Sequence, residues 1–502
     1  MKKSCLYILV TLACFACQKD GQNGPEPAID KTELIKACHY IQGGGSQTTG
    51  GTGGQVLYVS SLSDDTDKST GLPMRGTLRY AVEYQSGARV VLFRVSGTIH
   101  LNSPLHIRHS NISILGQSAP GDGICIADYP LIVNANNVIV RFIRVRLGDV
   151  SNTESDAVSV NDATGVLLDH LSCSWSVDEC VSCYGNTNFT MQYCIVSESL
   201  KISVHGKGSH GYGGIWGGTN ASFHHNLLAH HDSRTPRFDH DYVNSTHIGP
   251  IDFVNNVVYN WGGNSAYGGE GSTNGAGGRH INFVSNYYKP GKATKSGVKA
   301  RLLNPTTKCG PTEKDPHAGC TGKLGGTVDP GKFYLANNIM DGSPAVTSDN
   351  WSGVYPDEAS KKEQCKATSR WMEGLTSLVD EQTAEAAYET VLAKAGCSLH
   401  RDAVDTRIIE EVRTGTYTYE GSKGSTGGLI DTQSDVGGWP ELKEGAKPVD
   451  TDGDGIPDEW EIQYGLNPKL VSDGKTSTLV DGIPNYEVYL NSIVAHLYEM
   501  RE

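Results

Sequence analysis

Short runs of alternating apolar and polar residues recur along the middle of the chain. They read VIVRFIRVRLG from Val138, VLLDHLSCSWS from Val166, FTMQYCIVSES from Phe189 and SFHHNLLAHH from Ser222. The series continues as IDFVNNVVYNW from Ile251, INFVSNYYKPG from Ile281 and FYLANNIMDG from Phe333. Each run starts as a strand of period two, meets a polar corner, and resumes as a second short apolar run. The corners fall at His170, Asn226, Asn256, Asn286 and Asn338. With Cys194 marking its own run, the spacings are 24, 32, 30, 30 and 52 residues. A β-rich unit of this size cannot bury its apolar face alone and becomes stable by stacking on copies of itself. The pattern therefore predicts an all-β solenoid, a right-handed single-stranded parallel β-helix. Asparagines at one corner of successive coils are placed to form an internal hydrogen-bonded ladder. Register turns His170 inward as a core histidine. The unequal spacings predict loops of different length on one side, and hence a cleft.

The period changes after about Ser369. TAEAAYETVLAKAG and DAVDTRIIEEVRTG read as helices packed outside the coil, the first ending at Gly396. The expected organisation is a leader over 1–17, a linker with a short helix over 18–44 and the β-helix over 45–421. A Gly/Ser/Asp-rich linker over 422–438 and a calcium-binding module over 439–502 complete it.

Composition adjusts this picture in three places. Glycine, 60 of 502 residues, suits a chain of many short turns. The net charge of −14 argues against a nucleic-acid partner. Its distribution is uneven: residues 201–301 carry a balance of +5 and residues 430–502 a balance of −10. A basic middle points to a polyanion met at one place, and an acidic tail to cations. Cys309 and Cys320 bracket a Gly/Pro-rich loop inside the 52-residue interval, expected to overhang the cleft and to hold a disulfide. Cys180 and Cys183 form a lone CxxC and, with Cys173 and Cys194, read as small core residues rather than zinc ligands.

The opening MKKSCLYILVTLACFACQKD has two lysines, an apolar run too short for a membrane helix, and small residues. It reads as an export signal and resembles a bacterial lipoprotein leader, with Cys17 as the lipid acceptor and Cys14 as a competitor. The chain is thus expected at the cell surface or outer membrane, otherwise periplasmic or secreted, as a monomer touching membrane only through that anchor.

DTDGDGIPDEWE, residues 450–461, matches a twelve-residue calcium loop. Asp450, Asp452 and Asp454 take positions 1, 3 and 5, and Gly455 makes the turn. Ile456 offers its carbonyl at 7, Asp458 stands at 9, and Glu461 is the bidentate ligand at 12. A partial copy, DGIPNYE from Asp481, lacks the first acids and reads as a packing partner. Nothing nearby could act on a substrate, so this Ca2+ is expected to be structural.

The segment ESDAVSVNDATGVLLDHLSCSWSVDECVS, residues 154–182, resembles the pectate lyases of polysaccharide lyase family 1. There a WIDH-like strand, here LLDH with Asp169 and His170, follows a carboxylate pair, here Glu154 and Asp156. TTGGTGGQVLYVSSLSDD, GTLRYAV, VVLFRVSGTIHL and ISILGQSAPGDGICI resemble the family's first coils, and the likeness covers roughly 45–415. It implies Ca2+-dependent β-elimination of polygalacturonate to 4,5-unsaturated products. Matched residue by residue, Asp156 and Asp178 are calcium ligands with Glu154 as a third. Ser182 stands where a fourth carboxylate is frequent, which leaves Glu179 or water to compensate.

HHDSRTPRFDH, residues 230–240, carries the family's R-x-P-R form. Arg234 matches the base and Arg237 a carboxylate-binding position, while Asp239 replaces a usual basic residue. Lys207 is the candidate to hold a substrate carboxylate, with Lys201 as competitor. An internal salt bridge of Arg234 with Asp232 or Asp239 is the alternative to a substrate role. Trp216, Trp261 and Tyr267 lie in Gly-rich loops where rings could stack on sugars; for Trp175, packing and stacking stand level. The competing functions are a β-helical polygalacturonase, working through paired carboxylates, a pectin lyase, and a non-catalytic glycan-binding solenoid.

Overall fold

A computed structural model describes residues 32–38, 40–238, 247–270, 278–307 and 330–498. The leader with Cys14 and Cys17, Asp239, and the Cys309–Cys320 loop lie outside the described residues. Strands line three sheets of ten, eight and nine, and every neighbouring pair is parallel. The ten-stranded sheet runs from Gln55–Val59 to Lys332–Ala336, the eight-stranded from Leu105–Ile107 to Leu303–Pro305, and the nine-stranded from Gly97–His100 to Ile339–Met340. One coil shows the plan: Thr164–Asp169 in the first sheet, Ser172–Ser174 in the third, Val181–Tyr184 in the second, then Thr187–Gln192 in the first again. This is the right-handed parallel β-helix anticipated from the repeat.

Alternation sends Val, Ile, Leu, Phe and Cys inward, where Cys173, Cys180, Cys183 and Cys194 are fully buried and unbridged. Phe223, Phe253 and Phe283 pair in register through successive coils, with the Phe253 and Phe283 rings 5.1 Å apart. At the corner between the ten- and nine-stranded sheets the asparagines form a continuous ladder. Asn256 Oδ1 accepts from Asn226 N and Nδ2, both at 3.0 Å. Asn286 Oδ1 accepts from Asn256 N at 2.9 Å, and Asn338 Oδ1 from Asn286 N at 2.9 Å. Asn350 extends the ladder by one step, accepting from Asn338 N at 2.9 Å. Asn226 Oδ1 closes the other end on Cys194 N at 2.9 Å.

His170 is one residue out of this register; Leu171 occupies the ladder position and its N–H meets Cys194 Sγ at 3.4 Å. His170 instead takes the left-handed corner conformation shared by Phe142, Tyr193, His225 and Asn255. Its ring stacks between Phe142 and Tyr193, at 4.6 and 5.0 Å, and pairs with Asp169 at 2.6 Å. It is a buried histidine satisfied at Nδ1 only, since its Nε2 is buried without a hydrogen bond, and Tyr498 covers it from outside at 5.3 Å.

Six α-helices decorate the coil among the described residues: α1 Thr32–Ala37, α2 Pro344–Ser348, α3 Ala384–Lys394, α4 Ala403–Thr414, α5 Asp458–Tyr464 and α6 Asn485–Ser492. The two expected outer helices are α3 and α4. Asp402 caps α4 and pairs with the buried Arg146 at 2.8 Å, fixing the helix to the coil. The stretch 422–438 is not a free linker: Ile430 and Asp431 are fully buried, and Lys201 N donates to Ile430 O at 2.8 Å. Its glycines permit that approach, since a Cβ at Gly428 would press on His230 and Asn260. At the other end, residues 43–51 form a strap across the outer face of the ten-stranded sheet. Gly44, Gly45 and Gly51 N donate to Ser222 Oγ, Thr190 Oγ1 and Ser113 Oγ at 3.0, 2.8 and 2.9 Å. A Cβ at Gly44 would collide with Asn220 O. No helix among the described residues is long and apolar enough to cross a membrane.

Candidate active site

The loops leading from the nine-stranded to the eight-stranded sheet carry nearly all the expected residues. Residues 147–157 bring Glu154 and Asp156, and 175–180 bring Asp178 and Glu179. Residues 198–214 bring Lys201 and Lys207, and 230–236 bring Arg234. The strands they feed, Val158–Asn161, Val181–Tyr184, Ile215–Trp216 and Arg237–Phe238, are consecutive neighbours. At about 4.8 Å per coil, positions far apart in sequence meet on one surface.

Asp156, Asp178 and Glu179 each place one carboxylate oxygen within 4.8 Å of the other two. Asp156 accepts from Ser159 Oγ at 2.8 Å and from Glu179 N at 3.1 Å. Burial, reinforced by the Asp178 charge, pushes its pKa up to about 7. Burial would raise Asp178 as well, but His210, with Nε2 at 3.0 Å, together with Arg234 and His205 holds it below the ordinary value. Ser182 pairs in register with Ser159 and brings no charge; the third carboxylate beside Asp156 and Asp178 is that of Glu179. Glu154 is drawn elsewhere. Its Oε1 lies 3.0 Å from His205 Nε2, and its Oε2 accepts from Gly206 N at 2.8 Å. His205 and His210, stacked at 3.6 Å, were not anticipated, although HGKGSHG in a site-bearing loop was a visible signal.

Arg234 has a left-handed backbone, φ 57°, and its guanidinium lies 4.5 Å from the centre of the Tyr212 ring. It forms an ion pair with Glu179, not with Asp232. Asp232 pairs instead with Lys201 at 3.0 Å, which occupies that lysine. Lys207 is exposed and has no ion pair among the described residues. Arg237 pairs with Glu270 beside Tyr267, and these acidic neighbours outweigh burial to raise its pKa. Trp216 and Trp261 present no ring to these loops: both are fully buried in the coil core, Trp216 through the inward register of its strand and Trp261 just past the end of Val257–Tyr259. Trp175 is also fully buried, donating to Glu198 at 3.1 Å, which gives it a packing role. Tyr267 stays half-buried, with Arg237 5.4 Å from its ring centre.

The acidic C-terminal loop forms a second cluster, away from these coils. Asp452, Asp454, Glu461 and Asp473 place carboxylate oxygens within 4.8 Å of one another. Asp473 was not part of the twelve-residue pattern. Asp450 and Asp458, which were, are engaged otherwise: Asp450 pairs with Arg94 at 3.1 Å and bonds Tyr58, and Asp458 accepts from Thr451 N and Oγ1 at 2.7 and 2.6 Å. The Ile456 side chain is fully buried against Val90, Leu92 and Leu115. Burial and the neighbouring aspartates push Asp454 up to about 7 and Glu461 up to about 8. Neither Glu461 oxygen is hydrogen-bonded, although the residue is fully buried. Buried anions of this kind call for a hard cation with oxygen ligands.

No protein-family model matches the sequence. Individual relatives do. A protein of Aspergillus flavus named "Probable pectate lyase C" is 31% identical over 475 residues, covering 93% of this chain and 96% of its own. One of Aspergillus fumigatus with the same name is 32% identical over 464 residues, covering 91% and 93%. Among solved structures, a Bacillus pectate lyase in complex with trigalacturonate is 15% identical, with a TM-score of 0.41, covering 71% of this chain and 98% of its own. The protein is a polysaccharide lyase. It belongs to the pectate lyase family.

Proposed function

We propose that the protein cleaves α-1,4-linked polygalacturonate by calcium-dependent β-elimination, leaving 4,5-unsaturated ends. The observation that carries this reading is Glu179, shared between Arg234 and the carboxylate pair Asp156–Asp178. Three carboxylate oxygens within 4.8 Å fit a calcium ion, which Asp156, Asp178 and Glu179 would hold, with Glu154 in reserve behind His205. Bound there, calcium supplies charge neutralisation for the sugar carboxylate, which makes the hydrogen on C5 more acidic.

The chain's own residues do the rest. Arg234 takes the C5 hydrogen as a proton, the freed electron pair forms the C4–C5 double bond, and the glycosidic oxygen leaves C4 and is protonated by solvent. A guanidinium normally keeps its proton. Glu179 favours that charged state while it pairs with Arg234; turned toward Asp156 and Asp178, it favours it less. Lys207, exposed and without an ion pair among the described residues, and Arg237, one coil further on, would hold substrate carboxylates.

Residues 45–421 would form the catalytic solenoid and 439–502 a calcium-binding appendage. The leader fits an exported, surface-anchored or secreted enzyme. Polygalacturonate with calcium tests the activity through ultraviolet absorbance of the unsaturated product. Absorbance that grows and is abolished by chelator is expected, whereas new reducing ends without absorbance would indicate a hydrolase. Arg234→Ala is expected to lose turnover while retaining substrate binding, and a near-normal rate would remove Arg234 as the base.

A further inference from the structure

The C-terminal cluster is assembled from two segments, and the second is invisible to the loop pattern. Asp452, Asp454 and Glu461 come from the loop and the helix α5 that closes it. Asp473 comes from a single helical turn, Asp473–Lys475, beyond that helix. Four features point its side chain at a ligand. Asp473 Oδ1 is buried without a hydrogen bond, while its Oδ2 accepts from Asn467 N at 2.8 Å, which fixes the carboxylate's direction. Oδ2 of Asp452, Oδ2 of Asp454 and both oxygens of Glu461 are likewise buried and unbonded. No lysine, arginine or histidine pairs with any of the four among the described residues. Gly474 lets the segments close up, since a Cβ there would collide with Asp454 Oδ2. The two acids of the twelve-residue pattern that stay out of this cluster have other partners, Asp450 with Arg94 and Tyr58 and Asp458 with Thr451.

Both segments are also tied to the coil. Ile456 packs with Tyr486 and Leu490 of α6 on Val90, Leu92, Leu115, Ile139 and Leu167, outward-facing residues of the ten-stranded sheet. Asn485, the first residue of α6, donates to Asp473 O at 2.9 Å. An ion held by the four carboxylates therefore links the loop to the entry of the helix that covers the sheet.

We propose that Asp473 is the closing ligand of a calcium-class cation site with Asp452, Asp454 and Glu461, and that the bound ion clips the C-terminal segment onto the outer face of the ten-stranded sheet. The proposal rests on the reading of this loop as calcium-binding. It differs from that reading in the ligand set, with Asp473 in and Asp458 out, and in what the ion holds together.

Terbium(III), a luminescent stand-in for calcium, is sensitised by a nearby indole, and Trp460 adjoins Glu461 in the chain. Titration of the full chain is expected to give a signal that calcium displaces and that Trp460→Phe removes. Asp473→Asn should weaken half-saturation by about 10-fold or more, whereas Asp458→Asn should change it by less than about 3-fold. Asp473→Asn should also lose most of the calcium-induced rise in melting temperature, and limited proteolysis with calcium should cut it between α5 and α6. A normal affinity in Asp473→Asn, or a larger loss in Asp458→Asn, overturns the proposal but leaves the loop a calcium site. No Trp460-dependent signal in the unaltered chain, with no effect of calcium on melting, overturns the calcium reading of the loop itself.

Discussion

Removing the cation from the C-terminal cluster is expected to invert the usual pH dependence of stability. Asp454, raised to about 7, and Glu461, raised to about 8, both have folded pKa values above their ordinary 3.8 and 4.5. Between each pair of values the native state binds more protons than the unfolded state, so stability falls as pH rises. At about 1.4 kcal/mol for each pH unit, a change from pH 5 to 8.5 costs about 3 kcal/mol at Asp454 and about 4 kcal/mol at Glu461. The two groups share one field, so their sum is an upper limit. For a chain of this length the unfolding entropy is about 1 kcal/mol/K, and the melting temperature in chelator should therefore drop by up to about 7 °C over that range. Differential scanning calorimetry at several pH values is the assay. The double variant Asp454→Asn, Glu461→Gln isolates this contribution from every other titrating group. Its profile in chelator should be flatter than that of the unaltered chain, and saturating calcium should abolish the difference. Equal pH slopes for the two chains in chelator, or a chelated chain that gains stability relative to the variant toward pH 8.5, would refute the reasoning.

Two further predictions concern the coil and the cleft. Asn256→Ala leaves Asn226 N and Phe223 O without their buried partners and should cost about 2–6 kcal/mol, at about 1–3 kcal/mol per orphaned group, read by denaturant unfolding. Lys207→Ala should raise KM for polygalacturonate several-fold with the melting temperature unchanged, because the side chain is exposed and makes no ion pair within the described residues; an unaltered KM would leave Lys201 as the candidate.

The solenoid was legible because its signal repeats: each corner asparagine is a local mark, and stacking follows from the period. The register was less legible. His170 and Leu171 both fit a corner, and only the left-handed φ of His170 separates them. Family motifs name Asp156, Asp178 and Arg234, and the fold brings these three together around Glu179. The site was unreadable where coils bring strangers together. Glu179 meets Arg234 two coils on, and Glu154 is captured by His205 from a loop two coils away. Glycine misled in two directions. Around Trp216 and Trp261 it suggested exposed loops where both rings are buried in the coil core, and over 422–438 it suggested a linker where it allows close packing. Asp473 escaped the loop pattern because a fixed spacing cannot register a ligand supplied by tertiary contact.

The strap over residues 43–51 changes how such a stack can come apart. A plain solenoid is a nearest-neighbour array, in which an end coil can fray while the rest persists. Here one short segment bonds Ser113, Thr190 and Ser222, residues of a single outward row that spans five strands. Coils that share no contact with one another are thereby laced together, and a coil cannot peel away without also lifting the lace. Across those five strands, unzipping one coil at a time is thus replaced by loss of the laced block as one unit, which keeps the loops that this block carries in alignment until it fails.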